Sequence, residues 1–119
     1  MAAPNIVNVT SILGKTSVAS LTTSEAAIVN NASASNTVLK INSLTVANID
    51  GTNNADVTLV VKRSSTNYAL ASTITVPADT TLVVISKENT IYLEEGDGIY
   101  GLASANGDLQ VVCSYEEIS

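Results

Sequence analysis

The sequence predicts an all-β protein: a single-domain antiparallel β-sandwich, jelly-roll-like in its connections, with a strand-like N-terminal arm. Three observations predict it. Fourteen valines, ten isoleucines and fourteen threonines make 38 of the 119 residues β-branched, and such side chains lose little freedom on a pleated surface but crowd a helix. Apolar residues recur at period two along most of the chain, which sets them alternately on a core face and an open face. The apolar runs are short and separated by polar turns at intervals of roughly ten residues, as in sandwiches and jelly rolls. A chain of 119 residues holds one core that hides roughly two-thirds of its unfolded surface.

Taken in order, Ile6, Val7 and Val9 open a strand over residues 5–13, and strands at 16–21 and 26–30 follow on either side of Thr22-Thr23-Ser24. A helix over 16–29, with Val18, Leu21, Ala26 and Ile28 as its apolar positions, is disfavoured by that interruption and by weak periodicity. Asn30 to Asn36 offers almost nothing to a core and reads as a loop. It divides residues 1–35, an arm or the first strands, from a richer body of residues 36–119.

Within the body, Leu39 and Ile41 share one parity and Leu44 and Val46 the other, so a β-bulge is expected between Asn42 and Ser43. Asp50-Gly51-Thr52-Asn53-Asn54 is a polar turn. Val57, Leu59 and Val61 alternate with Asp56, Thr58 and Lys62, and only Val60 breaks the pattern. Leu70, Ile74 and Val76 mark a strand stopped by Pro77, which cannot donate a ladder hydrogen bond. Leu82 to Ile85 are apolar on both parities, as expected of a strand covered by a second sheet on one side and a neighbouring subunit on the other. Ile91 and Leu93 point together with Tyr92 outward, and Glu94-Glu95-Gly96-Asp97-Gly98 forms the next turn. A strand over 99–105 leads to the hairpin signal Asn106-Gly107, and its partner carries Leu109, Val111, Cys113 and Tyr115 on one face.

Composition excludes several functions. With no histidine, the chain cannot build a Ser-His-Asp or Cys-His site, or a His-containing zinc or non-haem iron site. Eleven carboxylates against five basic residues give a formal charge of −6, which repels phosphate backbones and anionic lipid, so neither nucleic acid nor membrane is an expected partner. The lone Cys113 cannot close an internal disulfide. No basic region followed by an apolar run marks a secretory signal at the start, and no run of about 18 apolar residues suits a membrane helix.

The clustered carboxylates Glu94, Glu95 and Asp97 invite a metal or an acid–base pair, but their sequence is ordinary turn composition. Asp50, Asn53, Asn54 and Asp56 match no EF-hand spacing. Cys113 has no cation or base close by in the chain and shares the parity of core residues. Asn8-Val9-Thr10 and Asn31-Ala32-Ser33 satisfy the glycosylation pattern, as chance allows in so Asn- and Thr-rich a chain. Tyr68, Tyr92, Tyr100 and Tyr115 fall on different strands and include no Trp, which weakens a sugar-binding platform. No cofactor, metal or enzymatic activity is expected. The core must be built without Phe or Trp, so each buried side chain contributes about 1.5–3 kcal/mol at most, and assembly would stabilise so thin a sandwich and cover its edges.

Several segments carry a resemblance: Met1 to Val9, Lys40-Ile41-Asn42-Ser43-Leu44, Val46-Ala47-Asn48 with Asp50-Gly51, Val76-Pro77-Ala78-Asp79, Leu82 to Lys87, Leu93-Glu94-Glu95-Gly96-Asp97, and Cys113 to Ile118. Together they resemble small virion proteins of tailed bacteriophages, those of marine cyanobacteria especially. Leu-Glu-Glu-Gly-Asp is also similar to a Leu-x-x-Gly-Asp turn that recurs in jelly rolls. The resemblance implies a structural component of the virion, assembled in the host cytoplasm: a capsid decoration protein on the head lattice, bound to the major capsid protein or other virion proteins, and a homo-oligomer, most often a trimer. A neck, tail or fibre component and a glycan-binding attachment module are the alternatives. The expected assembly interface comprises Ile6, Val7, Val9, Ile12, Leu13 and Tyr92.

Overall fold

A computed structural model describes residues 4–119; the opening Met1-Ala2-Ala3 lies outside the described residues. Among the described residues there are nine strands: β1 (Ile12–Ser20), β2 (Ala26–Asn30), β3 (Val38–Asn48), β4 (Ala55–Arg63), β5 (Thr66–Val76), β6 (Thr81–Ile85), β7 (Ile91–Leu93), β8 (Gly98–Ala103) and β9 (Leu109–Ile118). They form two antiparallel sheets, the first in the order β1-β9-β3-β6 with β7 also paired to β3, the second in the order β2-β8-β4-β5. This is the all-β sandwich expected, and the alternation of successive strands between the sheets is that of a jelly roll.

The inner faces interlock around an aliphatic core whose fully buried members include Ile41, Leu44, Leu59, Ile85, Ile99 and Leu109. Tyr115 only packs against its rim. The bulge read from the parity change is present, since the pairing of β3 with β9 slips between Ile41 and Ser43. That slip lets Leu39, Ile41, Leu44 and Val46 all face inward along one strand. Val60, the one break in the alternation of β4, coincides with register slips against β5.

Two expectations are corrected. The first strand begins at Ile12 and runs on through Thr16 to Ser20, so the expected strand at 16–21 is its second half. Ile12 pairs with Ile118 at the end of β9, and Ser11 exchanges backbone hydrogen bonds with Ser119, beyond which β9 offers the residues before Thr10 no partner. They turn instead, with the Asn8 amide donating to the Asn5 carbonyl at 2.9 Å and the Val7 amide to Asn5 Oδ1 at 3.0 Å. Asn106-Gly107 does turn, with Gly107 at φ +81°, but β8 and β9 lie in opposite sheets. The turn is tied across the end of the sandwich: Gly107 donates to the Leu21 carbonyl, Thr23 to Asn106 Oδ1, and Ile49 to the Asp108 carbonyl. A connection spanning sheets about 10 Å apart cannot also close a ladder. β6 is a sheet edge, and Val83 on its outer side is 60% exposed, so among the described residues only the second sheet covers that strand and its other side stays open.

A hairpin unmarked by Gly or Asn joins β4 to β5. Ser64 and Ser65 take its two turn positions at φ 53° and 65°, a geometry that favours Asn-Gly and strains other residues. Replacing the pair by Asn-Gly is expected to raise stability by about 1 kcal/mol; an unchanged urea midpoint would contradict it.

Two buried asparagines pin the two ends of the sandwich. Asn48 Nδ2 donates to the Asn53 and Val76 carbonyls at 3.0 and 2.9 Å, while its Oδ1 accepts from the Asp50 amide. At the other end, Asn31 Nδ2 donates to the Thr37 and Leu93 carbonyls, both at 3.0 Å. Each amide satisfies backbone groups that a crossing loop would otherwise strand in a dry site.

Candidate assembly interface

The expected interface residues occupy two opposite borders of the first sheet. Val7, 89% exposed, and the exposed Ile6 sit on the turn before β1; Val9 is half-buried. This segment is fastened where the Thr10 and Ser11 amides donate to the Ser119 carbonyl, at 2.7 and 2.9 Å. Ile12 and Leu13 begin β1, a nine-residue edge strand, and are exposed. Tyr92 lies on β7, at the other edge, opposite Lys40. β6 and β7 run along the same side of β3, pairing with it from Ala47 back to Leu39. They make one broken edge as long as β1.

Between these borders runs a feature the sequence did not single out. Register aligns Val18 of β1 with Val112 of β9, Val112 with Thr45 of β3, and Thr45 with Val83 of β6. Val18 is 72% exposed, and Val83 and Val112 are exposed as well. The next row, Ser20, Gln110, Ala47 and Thr81, is also uncharged. Pairing order alone brings these residues together, so period-two reading could mark each as outward without placing them in one row.

Charge lies mostly elsewhere. The edge strands β2, β5, β6 and β7 carry none, and the single charge of β1, Lys15, is paired with Glu117 at 3.0 Å. That hydrogen bond raises the lysine's pKa. Asp50, Asp79 and Asp108 occupy turns at one end of the sandwich.

The acidic turn at the other end is a clamp. Asp97 is buried and accepts from Arg63 Nε at 2.8 Å and Nη2 at 2.6 Å, and from the Glu94 amide at 2.9 Å. Arg63 Nη2 also meets Glu94 Oε2 at 2.9 Å. The guanidinium hydrogen bond holds the Asp97 carboxyl below the usual carboxylate range, against the opposing effect of burial. Gly96 makes the turn possible at φ +88°, and its amide donates to the Asn31 carbonyl. A shallow pocket of about 390 Å³ opens over Arg63 and Glu95. Among the described residues no three His, Cys, Asp or Glu side chains are grouped to hold a metal ion.

Tyr68 and Tyr92, on different strands as the sequence suggested, nevertheless line one groove of about 340 Å³ with Leu70, Ile91 and Arg63. Tyr100 lies apart from it, under the Lys62 ammonium at 4.4 Å from its ring. Cys113 is fully buried, and burial pushes its thiol up to about 11. It is a core residue, as its parity indicated. Asn31, in the second glycosylation pattern, is buried with its amide nitrogen engaged.

No family model matches the chain, and no curated protein does. Among solved structures, it is similar to a subunit described under Bacillus endospore appendages that form a family of disulfide-linked pili, with a TM-score of 0.53 and 18% identity over 92% of this chain and 88% of that one. At that identity the likeness is one of fold. Two structures of a pentameric capsid protein from metagenomic phage sequences overlay with TM-scores of 0.43 and 0.41, each at 16% identity. They cover 98% and 87% of this chain, which spans 64% of their length.

Proposed function

We propose that this chain is a non-enzymatic structural protein of a bacteriophage particle, a decoration protein that binds the head lattice as a homo-oligomer and stabilises it. The observation that carries the reading is the uncharged row of exposed Val18, Val112 and Val83 with half-buried Thr45, between two unblunted sheet edges. Edges of this kind invite pairing unless something covers them. The resemblance of its turns and strand ends to phage virion proteins supplies the setting. Residues that would be taken for chemistry serve the fold, with Asp97 and Glu94 held by Arg63 and Cys113 in the core.

In this reading Ile6 and Val7 face the shell. The cut that tests it stops short of Thr10, because Thr10 and Ser11 anchor to Ser119. Removing residues 1–9 is expected to lower incorporation into particles several-fold while leaving the denaturation midpoint of the purified protein unchanged. Full occupancy of particles by the shortened chain would remove the segment from the interface.

The convergence of Tyr68 and Tyr92 on one groove beside Arg63 supports a second reading, attachment through a surface glycan, since sugar rings stack on aromatic faces. Saturable binding of host polysaccharide that is lost in Tyr92→Ala would favour it over decoration.

A further inference from the structure

We infer that copies of this chain join head to tail through the first sheet, β1 of one copy pairing with the β6–β7 border of the next. The inference takes its setting from the assembly reading but adds the partner, the strands and the polarity of the contact.

Backbone direction permits it. Each neighbour in the order β1-β9-β3-β6 is antiparallel, so β1 and β6 run in opposite directions at the two borders. A copy displaced sideways therefore sets its β1 antiparallel to its neighbour's β6, and the sheet continues without a change of pattern. Lengths agree as well: β1 has nine residues, and β6 with β7 faces β3 from Leu39 to Ala47. Side chains agree too, because the row that ends at Val83 in one copy begins at Val18 in the next.

Charge selects this contact over its rival. If two β1 strands paired about a two-fold axis centred on Thr16, Lys15 of each copy would lie diagonally across from the other at about 7–8 Å, a like-charge contact only partly offset by each lysine's own Glu117. The β6–β7 border carries no charge within its strands, and the connection between them holds one of each sign, Lys87 and Glu88, so the head-to-tail arrangement avoids a net like-charge contact. It also keeps the acidic turns, which hold much of the net −6, at the ends of the sandwich and out of the seam.

The area is adequate. A side about 30 Å long, from nine residues at about 3.4 Å each, and 20 Å across, the molecule's smallest extent, gives roughly 600 Å² per copy, close to the roughly 800 Å² of a standard interface. Being heterologous, the contact closes into a ring or extends as a filament, according to the rotation between copies.

The test is the mass of the purified full chain by sedimentation and light scattering from about 10 µM to 1 mM, with no shell protein present. Mass is expected to rise with concentration above the 12.2 kDa of one chain. Val18→Lys and Val83→Lys, both at exposed positions, should each return the protein to monomer with an unchanged denaturation midpoint. Val18→Lys combined with Val83→Glu should restore assembly, because each lysine then meets a glutamate of the next copy. Val112→Lys, on the same face but within the sheet, should leave assembly intact. A wild-type chain that stays monomeric overturns the inference. So does loss of assembly with only one of the two edge variants, which marks a two-fold contact, or loss with Val112→Lys, which marks stacking of faces. Since no particle is used, failure here leaves the result of the residue 1–9 truncation, and with it the shell reading, separately decidable.

Discussion

Leu59→Ala is expected to destabilise the protein by about 2–5 kcal/mol, a large part of the roughly 5–15 kcal/mol that holds a domain of this size together. Leu59 is fully buried at the middle of the second sheet, in a core with no aromatic ring to slump into the space. The cost divides between lost burial and the cavity left behind. Its neighbour across the ladder sharpens the test. Gly101 pairs with Leu59, and a Cβ built there meets a Leu59 methyl at 2.6 Å and an Ile28 methyl at 3.1 Å. Gly101→Ala alone should therefore cost about 1–3 kcal/mol by overpacking. In the double variant, the methyl added at 101 occupies space that Leu59 vacated, and the two losses should fall short of their sum by about 1 kcal/mol. Strict additivity in urea titrations would show that Gly101 does not make room for Leu59.

The second large effect concerns the clamp at the acidic turn. Asp97→Ala removes the acceptor for two guanidinium bonds and the Glu94 amide, and is expected to cost about 1.5–3 kcal/mol, the range for hydrogen bonds to charged groups. Arg63→Ala should be the more damaging change at neutral pH, because the guanidinium that is lost is largely solvated whereas the carboxylate left behind is buried. The two proteins should then part company in acid. In the wild type the folded-state pKa of Asp97 is depressed, so its contribution is present above the ordinary carboxyl pKa of about 4 and is lost as pH falls below it. Without Arg63, burial opposes ionisation of the same carboxyl and only the Glu94 amide still favours it, so protonation relieves a penalty and the gap to the wild type should narrow as pH falls into and below the ordinary carboxyl range. A gap that is constant with pH would mean that Arg63 acts through packing of its stem alone.

The fold class was legible because it rests on period-two alternation, which survives in nearly every strand. Even the β3 bulge could be read, since a parity switch inside one apolar run has few other causes. What could not be read was pairing between distant strands. Asn106-Gly107 looks like a hairpin because its local chemistry is that of a turn, while the contacts that decide its partners come from Leu21, Thr23 and Ile49. Ser64-Ser65 closes the true hairpin without the residues that usually mark one. Of the expected assembly interface, Ile6, Val7, Ile12 and Leu13 were named from the arm that the resemblance would lay against a neighbour. Val18, Val83 and Val112 stood out only once three strands far apart in sequence had been set side by side. Asp97 and Arg63 are 34 residues apart, so the neutralised carboxylate was equally invisible.

The single hairpin also governs how the chain finds this structure. Among the nine strands, β4 and β5 are the only successive pair that is hydrogen-bonded to each other; every other pairing joins strands separated by at least one intervening element. Long loops must therefore close before most of the ladder gains anything, the circumstance that slows folding to milliseconds or seconds. The β4–β5 ribbon is the one piece that can form early from local contacts, yet its turn is built from two serines in a disfavoured conformation. Until β9 settles between β1 and β3, the centre of the first sheet is missing, so a folding chain exposes unpaired edges until residues 109–118 are in place.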